Sequence, residues 1–325
     1  MISVEHVSKY FGDIKAVDDI SFKVKESENM IFLGTSGCGK TTTLRMINRL
    51  TEPSEGRIII NGQNILEQQP DNLRRSIGYV LQHNGLFPHY TVAQNIAIVP
   101  ELLGKDTELT KKRTIELMEK LHLSPDKYLN VYPDQLSGGQ QQRVGLARAL
   151  AADPPVLLMD EPFGALDTIT RNKIRKEFSG LDEFKRKTIL MVTHDVQEAF
   201  ALADRICLMD KGKIVQLGTP DELLFKPANE FVRNFLKEEK TQLAFRSVKL
   251  SRLWSLFPDN PNQIDTNAAV LTIQSETSVW DTMEMFYDEI TVDEKLINVV
   301  DTGTNQTKQI NFISLMSAMN SLNKN

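Results

Sequence analysis

The sequence has 325 residues, of which 41% are apolar and 25% are charged, as is typical of a globular protein with room for one large and one smaller domain. Its 38 basic and 43 acidic residues give a formal net charge of −5, which disfavours a role in nucleic-acid binding because that role needs a strongly basic surface. No run approaches the roughly 20 apolar residues that span a bilayer, and no signal peptide follows Met1. The two cysteines cannot form a disulfide framework, which fits a reducing compartment. We therefore expect a cytosolic chain.

The first third of the chain shows strand patterns of two kinds. Residues 2–24 carry short runs of alternating apolar residues around a Phe11-Gly12 turn, which predicts a half-exposed antiparallel sheet. Residues 30–33 are a continuous apolar strand that leads into a glycine-rich turn and a helix, the order found at the entry to a parallel sheet. Further predicted elements are strands at 56–60 and 77–81 and a charged amphipathic helix at 107–122.

After Pro154 the pattern returns to buried strands. Residues 156–159 and 188–192 are short apolar runs suited to the centre of a parallel sheet. Residues 206–209 and 213–215, joined by Lys211-Gly212, predict a closing hairpin. We therefore predict that residues 1–236 form one α/β domain.

The glycine-rich turn fits the P-loop pattern. The motif Gly-Thr-Ser-Gly-Cys-Gly-Lys-Thr lies at 34–41, after a buried strand and before a helix. Its glycines would let backbone N–H groups converge on phosphates, with Lys40 on the β- and γ-phosphates and Thr41 on Mg²⁺. The alternative is an ordinary glycine-rich turn. The predicted nucleotide contacts are Gly34, Thr35, Ser36, Gly37, Cys38, Gly39, Lys40, Thr41 and Thr42.

Two carboxylates end the strand at 156–159. Ligands bind at the carboxyl ends of strands in open α/β sheets, so Asp160 is expected to hold Mg²⁺ and Glu161 to orient or deprotonate the attacking water. The alternative is that the pair only caps the following helix. Its combination with the P-loop favours the catalytic interpretation.

Residues 136–140, Leu-Ser-Gly-Gly-Gln, carry a family resemblance. Followed by Gln-Gln-Arg143 and placed about 20 residues before the carboxylate strand, they resemble the signature of ATP-binding-cassette ATPases. Ser137 also suits a helix N-cap, which would account for the serine but not for Gly138, Gly139 and Gln140.

The remaining positions of that family's pattern occur in order. Phe11 stands where an aromatic stacks on adenine, and Gln82 matches the glutamine that senses the γ-phosphate and contacts Mg²⁺. Ala165-Leu166-Asp167 matches the loop that crosses the dimer, and His194 follows strand 188–192. Taken singly, Phe11 could be a core residue and His194 a satisfied polar residue.

The resemblance implies a fold and a mechanism. The fold is a P-loop NTPase cassette, α/β, with a RecA-like core, an antiparallel β lobe and a helical signature subdomain. Two copies of the chain sandwich two ATP molecules, so that Ser137, Gly138, Gly139 and Gln140 of one copy reach the nucleotide on the other's P-loop. Glu161, His194 and Gln82 act in catalysis, Thr41, Gln82 and Asp160 hold Mg²⁺, and Asp167 links the two sites.

The resemblance also implies partners. Residues 86–90, Leu-Phe-Pro-His-Tyr, would receive a short helix from an integral membrane permease, although a core-packing loop is an alternative. An importer of this type also needs an extracytoplasmic substrate-binding protein, and it would place this chain on the cytoplasmic face of the plasma membrane. Another importer, or a soluble cassette ATPase, is the alternative function.

The last quarter of the chain differs in charge, with six basic and ten acidic residues between 241 and 325. Residues 237–265 are expected to form a connector helix packed on the cassette, although their basic and apolar residues would also suit a membrane surface. Residues 266–325 follow a β-α-β-β-α order, with strands at 270–273, 297–300 and 309–313 and helices at 279–286 and 314–322. This order is similar to one cystathionine-β-synthase (CBS) repeat, and the small regulatory domain of methionine importers is the rival.

Such repeats follow the cassette in importers of glycine betaine, carnitine and choline, which makes a betaine-type compound the expected substrate, with ergothioneine as a further possibility. The positions that bind ribose in the repeat read Asn311, Ser314 and Ser317, which puts nucleotide binding there in doubt. A lone repeat would leave an apolar face for a second copy to cover. That face comprises Val270, Ile273, Val299, Val300, Ile310 and Phe312.

Overall fold

A computed structural model describes residues 2–82, 85–164, 166–258, 271–287 and 296–322. These residues group into two compact units, the first made of 1–223 and 227–232 and the second of 224–226 and 233–325. Within the described ranges, no helix has the length and apolar character needed to cross a bilayer.

The strands are β1 (Ile2–Phe11), β2 (Ile14–Val24), β3 (Asn29–Gly34), β4 (Glu55–Ile60), β5 (Gln63–Asn64), β6 (Ile77–Val80), β7 (Val156–Asp160), β8 (Thr188–Val192), β9 (Arg205–Asp210), β10 (Lys213–Gly218), β11 (Leu271–Gln274), β12 (Ile297–Val300) and β13 (Thr307–Ile310).

The helices are α1 (Lys40–Ile47), α2 (Pro70–Arg75), α3 (Val92–Leu102), α4 (Thr107–Lys120), α5 (Pro125–Tyr128), α6 (Gly138–Ala151), α7 (Thr168–Gly180), α8 (Asp182–Lys185), α9 (Val196–Leu202), α10 (Pro220–Phe225), α11 (Glu230–Phe235), α12 (Lys240–Ser247), α13 (Leu250–Leu253), α14 (Val279–Tyr287) and α15 (Phe312–Leu322).

The first unit contains two sheets. One has the order β2-β1-β4-β5 and is antiparallel, which confirms the predicted β lobe. The other has the order β10-β9-β3-β8-β7-β6, and all its pairs are parallel except that of β9 with β10, the predicted closing hairpin.

The parallel sheet explains why the apolar runs are continuous rather than alternating. Every residue of β7 and β8 is buried, because layers cover both faces of the sheet at its centre. The carboxyl ends of β3, β7 and β8 then lie side by side at one edge. Glycine-rich turns and carboxylates that are far apart in the sequence therefore meet there.

Helices α3, α4 and α6 of the first unit pack on one another. The Thr91 hydroxyl and the Gln94 side chain cap α3 reciprocally, and Ser137 and Gln140 do the same for α6. Helix α4 covers nearly the whole predicted span 107–122. The predicted α/β architecture with an antiparallel lobe is thereby confirmed for this unit.

The second unit has the predicted β-α-β-β-α order, with β11 parallel to β12 and β12 antiparallel to β13. The predicted bounds of its last two elements were wrong, because β13 ends at Ile310 and α15 begins at Phe312. The cause is the cap at Asn311, whose Oδ1 accepts from the Ser314 N–H at 2.8 Å.

The prediction of an uncovered apolar face was wrong at two positions. Val299 and Ile310 are fully buried within the second unit, because α14 and α15 pack with the sheet strands into one core. Val270 lies outside the described residues. Part of the predicted connector also belongs to this unit. The Leu250 N–H donates to the Thr277 carbonyl at 3.0 Å, and the Val279 N–H donates to the Val248 carbonyl at 2.9 Å.

Candidate active site

The P-loop connects the end of β3 to the start of α1. Gly34 must be glycine, because a Cβ there would lie 2.1 Å from the carbonyl oxygen of Met209. The Lys40 ammonium donates to the carbonyl oxygens of Gly34 at 2.9 Å and Thr35 at 2.8 Å. A buried ammonium therefore lies beside the positive N-terminus of a helix, a combination that favours phosphate.

Asp160, the last residue of β7, faces the P-loop helix. It is 3% exposed, and the Thr41 hydroxyl donates to its Oδ1 at 2.8 Å. Burial raises the pKa of Asp160, against the opposing effects of the Thr41 hydrogen bond and of the charge of Arg45. A cation at this carboxylate would relieve that desolvation cost.

The donor set at this point fits Mg²⁺. A threonine hydroxyl and a carboxylate are the oxygen ligands that this ion accepts, with phosphate and water oxygens completing its shell. The described residues contain no group of three or more His, Cys, Asp or Glu side chains placed to hold a metal.

The three predicted catalytic side chains meet at one oxygen atom. Glu161 Oε2 accepts a hydrogen bond from Gln82 Nε2 at 2.9 Å and lies 3.2 Å from His194 Nδ1. Glu161 has φ of 45°, a left-handed conformation that is strained for a residue with a side chain. Its N–H donates to the Val192 carbonyl at 3.0 Å, which ties the turn to the end of β8.

Phe11 ends β1 and is 51% exposed, so the alternative of a core residue is wrong. The Lys9 ammonium lies 5.2 Å from its ring centroid. An exposed aromatic ring with one free face is suited to stacking on a base.

The signature residues lie at the start of α6. Ser137 and Gln140 cap the helix reciprocally, so the capping explanation is correct for both. Gly139 is explained by packing, since a Cβ there would lie 3.0 Å from Thr170 Cγ2. Nothing lies within 4 Å of the Cβ position of Gly138, so the contacts within one chain do not require glycine there.

The loop before α7 places Asp167 at the helix start. Its Oδ1 accepts from the Thr170 N–H at 3.0 Å, as an N-cap does. Ala165, the predicted neighbour in this loop, lies outside the described residues. The Thr35 hydroxyl of the P-loop donates to Asp210 Oδ1 at 3.3 Å, an interaction that the sequence analysis did not identify.

Two further residues near Asp160 were missed. Arg45 lies on α1, one turn after Thr41, and that i,i+4 spacing was the signal that could have identified it. Burial raises the pKa of Tyr79 to about 12, and the nearby charge of Asp160 acts in the same direction. Arg45 and Tyr79 thus belong to the electrostatic surroundings of the predicted metal ligand.

The fold and the site together define a nucleotide-binding protein of the P-loop class. The family model described as "ABC transporter" matches residues 17–164. The glycine betaine/carnitine/choline transport ATP-binding protein OpuCA of Bacillus subtilis is 56% identical over 241 residues, 74% of this chain and 63% of that protein. The carnitine transport ATP-binding protein OpuCA of Listeria monocytogenes is 46% identical over 310 residues, 94% and 77% of the two chains. The chain belongs to the ABC transporter family.

Solved structures agree with this assignment. The ATP-binding cassette MJ0796, solved as a dimer in a post-hydrolysis state with ADP and phosphate, is 35% identical and superposes with a TM-score of 0.60. The match covers 67% of this chain and 98% of that chain. The chain spans only 63% of the length of the Bacillus subtilis relative, which therefore has additional sequence.

Proposed function

We propose that the chain is the ATP-hydrolysing subunit of an ABC importer and that it powers uptake of a quaternary ammonium compound through a separate membrane permease. The meeting of Gln82, Glu161 and His194 beside the P-loop is the observation that carries the hydrolytic part. The substrate class rests on the relatives, which are named for transport of glycine betaine, carnitine and choline.

The P-loop residues bind the phosphates of ATP, with the Lys40 ammonium on the β- and γ-phosphates. Mg²⁺ would be held by Thr41, Asp160 and Gln82. When bound, it would neutralise negative charge on those phosphates. Phe11 stacks on the adenine. Glu161 orients the attacking water and accepts its proton.

His194 and Gln82 sense the γ-phosphate. Both contact the same oxygen of Glu161, so a change at either side chain reaches the general base directly. Loss of the γ-phosphate removes the contacts that hold the closed state, and a ligand shifts an equilibrium only through such differential contacts.

Two copies of the chain form the working unit. Each copy contacts the other's nucleotide through Ser137, Gly138, Gly139 and Gln140, and it contacts the other copy through Asp167. Ser137 and Gly138 are exposed, and Gly138 has open space around it, as close approach of a second molecule requires. A permease helix occupies a groove of about 320 Å³ that Leu81, Phe87 and Leu102 line. These three side chains are exposed apolar residues, and the guanidinium of Arg148 lies 5.8 Å from the Phe87 ring.

The full importer also contains an extracytoplasmic substrate-binding protein, and the chain lies peripherally on the cytoplasmic face of the membrane. We divide the chain into a cassette at 1–236, a connector at 237–265 and a CBS-like regulatory or dimerisation domain at 266–325. The β-α-β-β-α order supports that last assignment. Asn311 and Ser314 bond to each other as a helix cap, which supports a role other than nucleotide binding.

A mixed dimer tests the sharing of sites. One copy carries Lys40→Ala and the other Ser137→Arg, so both lesions fall in one composite site and the second site stays intact. The control combines both changes in one copy and pairs it with wild type, which damages both composite sites. Activity in the first mixture and none in the control supports the proposal, whereas the reverse shows that each chain completes its own site.

The substrate class is tested by uptake of labelled glycine betaine, carnitine and choline into osmotically stressed cells. Cells that produce the wild-type chain with its permease should accumulate at least one of these compounds. Cells with the Glu161→Gln chain should accumulate none. Equal uptake by wild-type and Glu161→Gln cells would show that ATP hydrolysis by this chain does not power the transport.

A further inference from the structure

Arg171 lies one turn into α7, directly after the Asp167 loop. Its backbone N–H donates to the Asp167 carbonyl at 2.8 Å, and its Nη2 donates to the Leu166 carbonyl at 3.0 Å. The guanidinium thus holds the Leu166 carbonyl, and the backbone of Arg171 holds the neighbouring Asp167, both from inside the same chain.

The other side of the same guanidinium faces the loop that carries His194. Nη1 lies 3.3 Å from Asp195 Oδ2, and Nε lies 3.8 Å from Glu198 Oε1. Asp195 follows His194 directly and caps α9, since its Oδ1 accepts from the Glu198 N–H at 3.0 Å. One arginine therefore contacts both loops.

Hydrogen bonds carry this contact to both neighbours of His194. The Asp195 N–H donates to Thr193 Oγ1 at 3.0 Å, and that hydroxyl donates to Glu198 Oε2 at 2.6 Å. Thr193 and Glu198 are both 2% exposed, so water does not compete for these bonds. A displacement of Asp195 or Glu198 must consequently move the backbone on both sides of His194.

The negative charges of Glu198 and Asp195 are partly balanced by the positive charge of Arg171. Burial raises the pKa of Glu198 and the negative charge of Asp195 acts in the same direction, while the charges of Arg171 and Arg175 oppose the rise. Arg171 Nε is buried, and within the described residues no acceptor is close enough to bond it. Glu198 Oε1, at 3.8 Å from Nε, lies just outside hydrogen-bonding range, so this contact is an ion pair without a hydrogen bond.

We propose that Arg171 is a positioning residue that links the Asp167 loop to His194. This inference rests on the proposed function, in which the Asp167 loop meets a second copy and His194 senses the γ-phosphate. Docking of the second copy displaces the Leu166 carbonyl, and the rigid guanidinium transfers the displacement to Asp195 and so to His194. A lysine cannot replace this link, because its single ammonium lacks the planar fork that bonds the Leu166 carbonyl and the Asp195 carboxylate together.

The test compares Arg171→Lys with Arg205→Lys in the full-length chain. Arg205 is a matched control, since its side chain is 29% exposed against 24% for Arg171 and it also bonds one carbonyl, that of Lys23, and one carboxylate, that of Glu28. We expect Arg171→Lys to lower kcat by about 2- to 30-fold, the range of measured coupling effects, with KM for ATP nearly unchanged. Arg205→Lys should leave both constants near wild type.

A double-mutant cycle with Asp167→Ala separates a link from a local structural role. If Arg171 acts through the Asp167 loop, the two changes together should cost less than the product of their separate effects on kcat. Independent effects, or equal kinetics for Arg171→Lys and Arg205→Lys, would overturn the proposal. If Arg171→Lys unfolds at a lower temperature than the control, Asp195→Asn removes the same link from its other end and must give the same kcat loss. A wild-type chain that hydrolyses no ATP would instead refute the proposed function.

Discussion

Replacing Glu161 by glutamine is the sharpest test of the site. Glutamine keeps the size of the side chain, and its carbonyl oxygen can still accept the 2.9 Å hydrogen bond from Gln82. It cannot accept a proton from water. We therefore expect kcat to fall on the order of 10²–10⁴-fold, the typical contribution of general base catalysis, which corresponds to about 3–5 kcal/mol of activation free energy.

The same change should affect folding and binding far less. Only the contact with His194 loses its charged partner, at a cost of about 1 kcal/mol in the free energy of unfolding. The Lys40 and Thr41 contacts are untouched, so ATP still binds, and the variant should accumulate as an ATP-bound dimer. The effect on rate thus exceeds the effect on stability by several kcal/mol.

Phosphate release at saturating Mg-ATP measures the rate, light scattering measures the dimer, and thermal unfolding measures stability. Glu116→Gln is the control, because it removes an ion-paired glutamate on α4 at a distance from the P-loop, and it should keep wild-type turnover. Turnover of Glu161→Gln within roughly tenfold of wild type, with unchanged stability, would show that Glu161 is not the general base.

Three further changes test other parts of the first unit. Phe11→Ala should raise KM for ATP roughly tenfold through loss of base stacking, while its melting temperature stays unchanged because the ring is exposed. Glu183→Gln removes a carboxylate whose pKa is lowered to about 2, chiefly by hydrogen bonds from an arginine and a lysine of α4. A lowered pKa stabilises the fold at pH values above the unfolded-state pKa near 4.5. Glu183→Gln should therefore lower the free energy of unfolding by on the order of 1 kcal/mol at pH 7, and this difference should vanish as the pH falls from 4.5 to 2. Chemical denaturation at several pH values measures it. Gly34→Ala should lower the free energy of unfolding by more than about 2 kcal/mol, because its Cβ would overlap the Met209 carbonyl, whereas Gly180→Ala, with open space around it, should not; chemical denaturation of both variants decides this.

Truncation after Lys240 tests the proposed regulatory domain. Because the residues after 240 carry most of the chain's excess acidic charge, an electrostatic sensor there should respond less as salt shortens the Debye length from roughly 10 Å at 0.1 M to about 3 Å at 1 M. We expect the truncated subunit in the assembled importer to keep its ATP hydrolysis and to lose most of its dependence on salt. An unchanged salt response would place the sensor elsewhere.

Local patterns in the sequence predict the secondary-structure elements and most residues of the candidate site. Three features could be identified from the sequence: the P-loop, the carboxylates at the end of β7 and the signature. Each needs particular residue types at short, fixed spacing, and such a pattern is visible within a short stretch of sequence. Continuous apolar runs predicted β3, β7 and β8, since strands buried on both faces admit few polar residues. The error at β13 arose because Phe312 and Ile313 extend an apolar run, and only the side-chain cap at Asn311 ends the strand.

Contacts between residues that are distant in the sequence are visible only in the folded chain. Gln82, Glu161 and His194 are separated by up to 112 positions, and neither their convergence on one oxygen nor the strained φ of Glu161 follows from local pattern. The link through Arg171 is likewise invisible in sequence, because an arginine on a polar helix is usually a solvated surface residue. These contacts depend on strand order, which places the carboxyl ends of β3, β7 and β8 side by side, and that order results from packing the whole sheet rather than from any one segment.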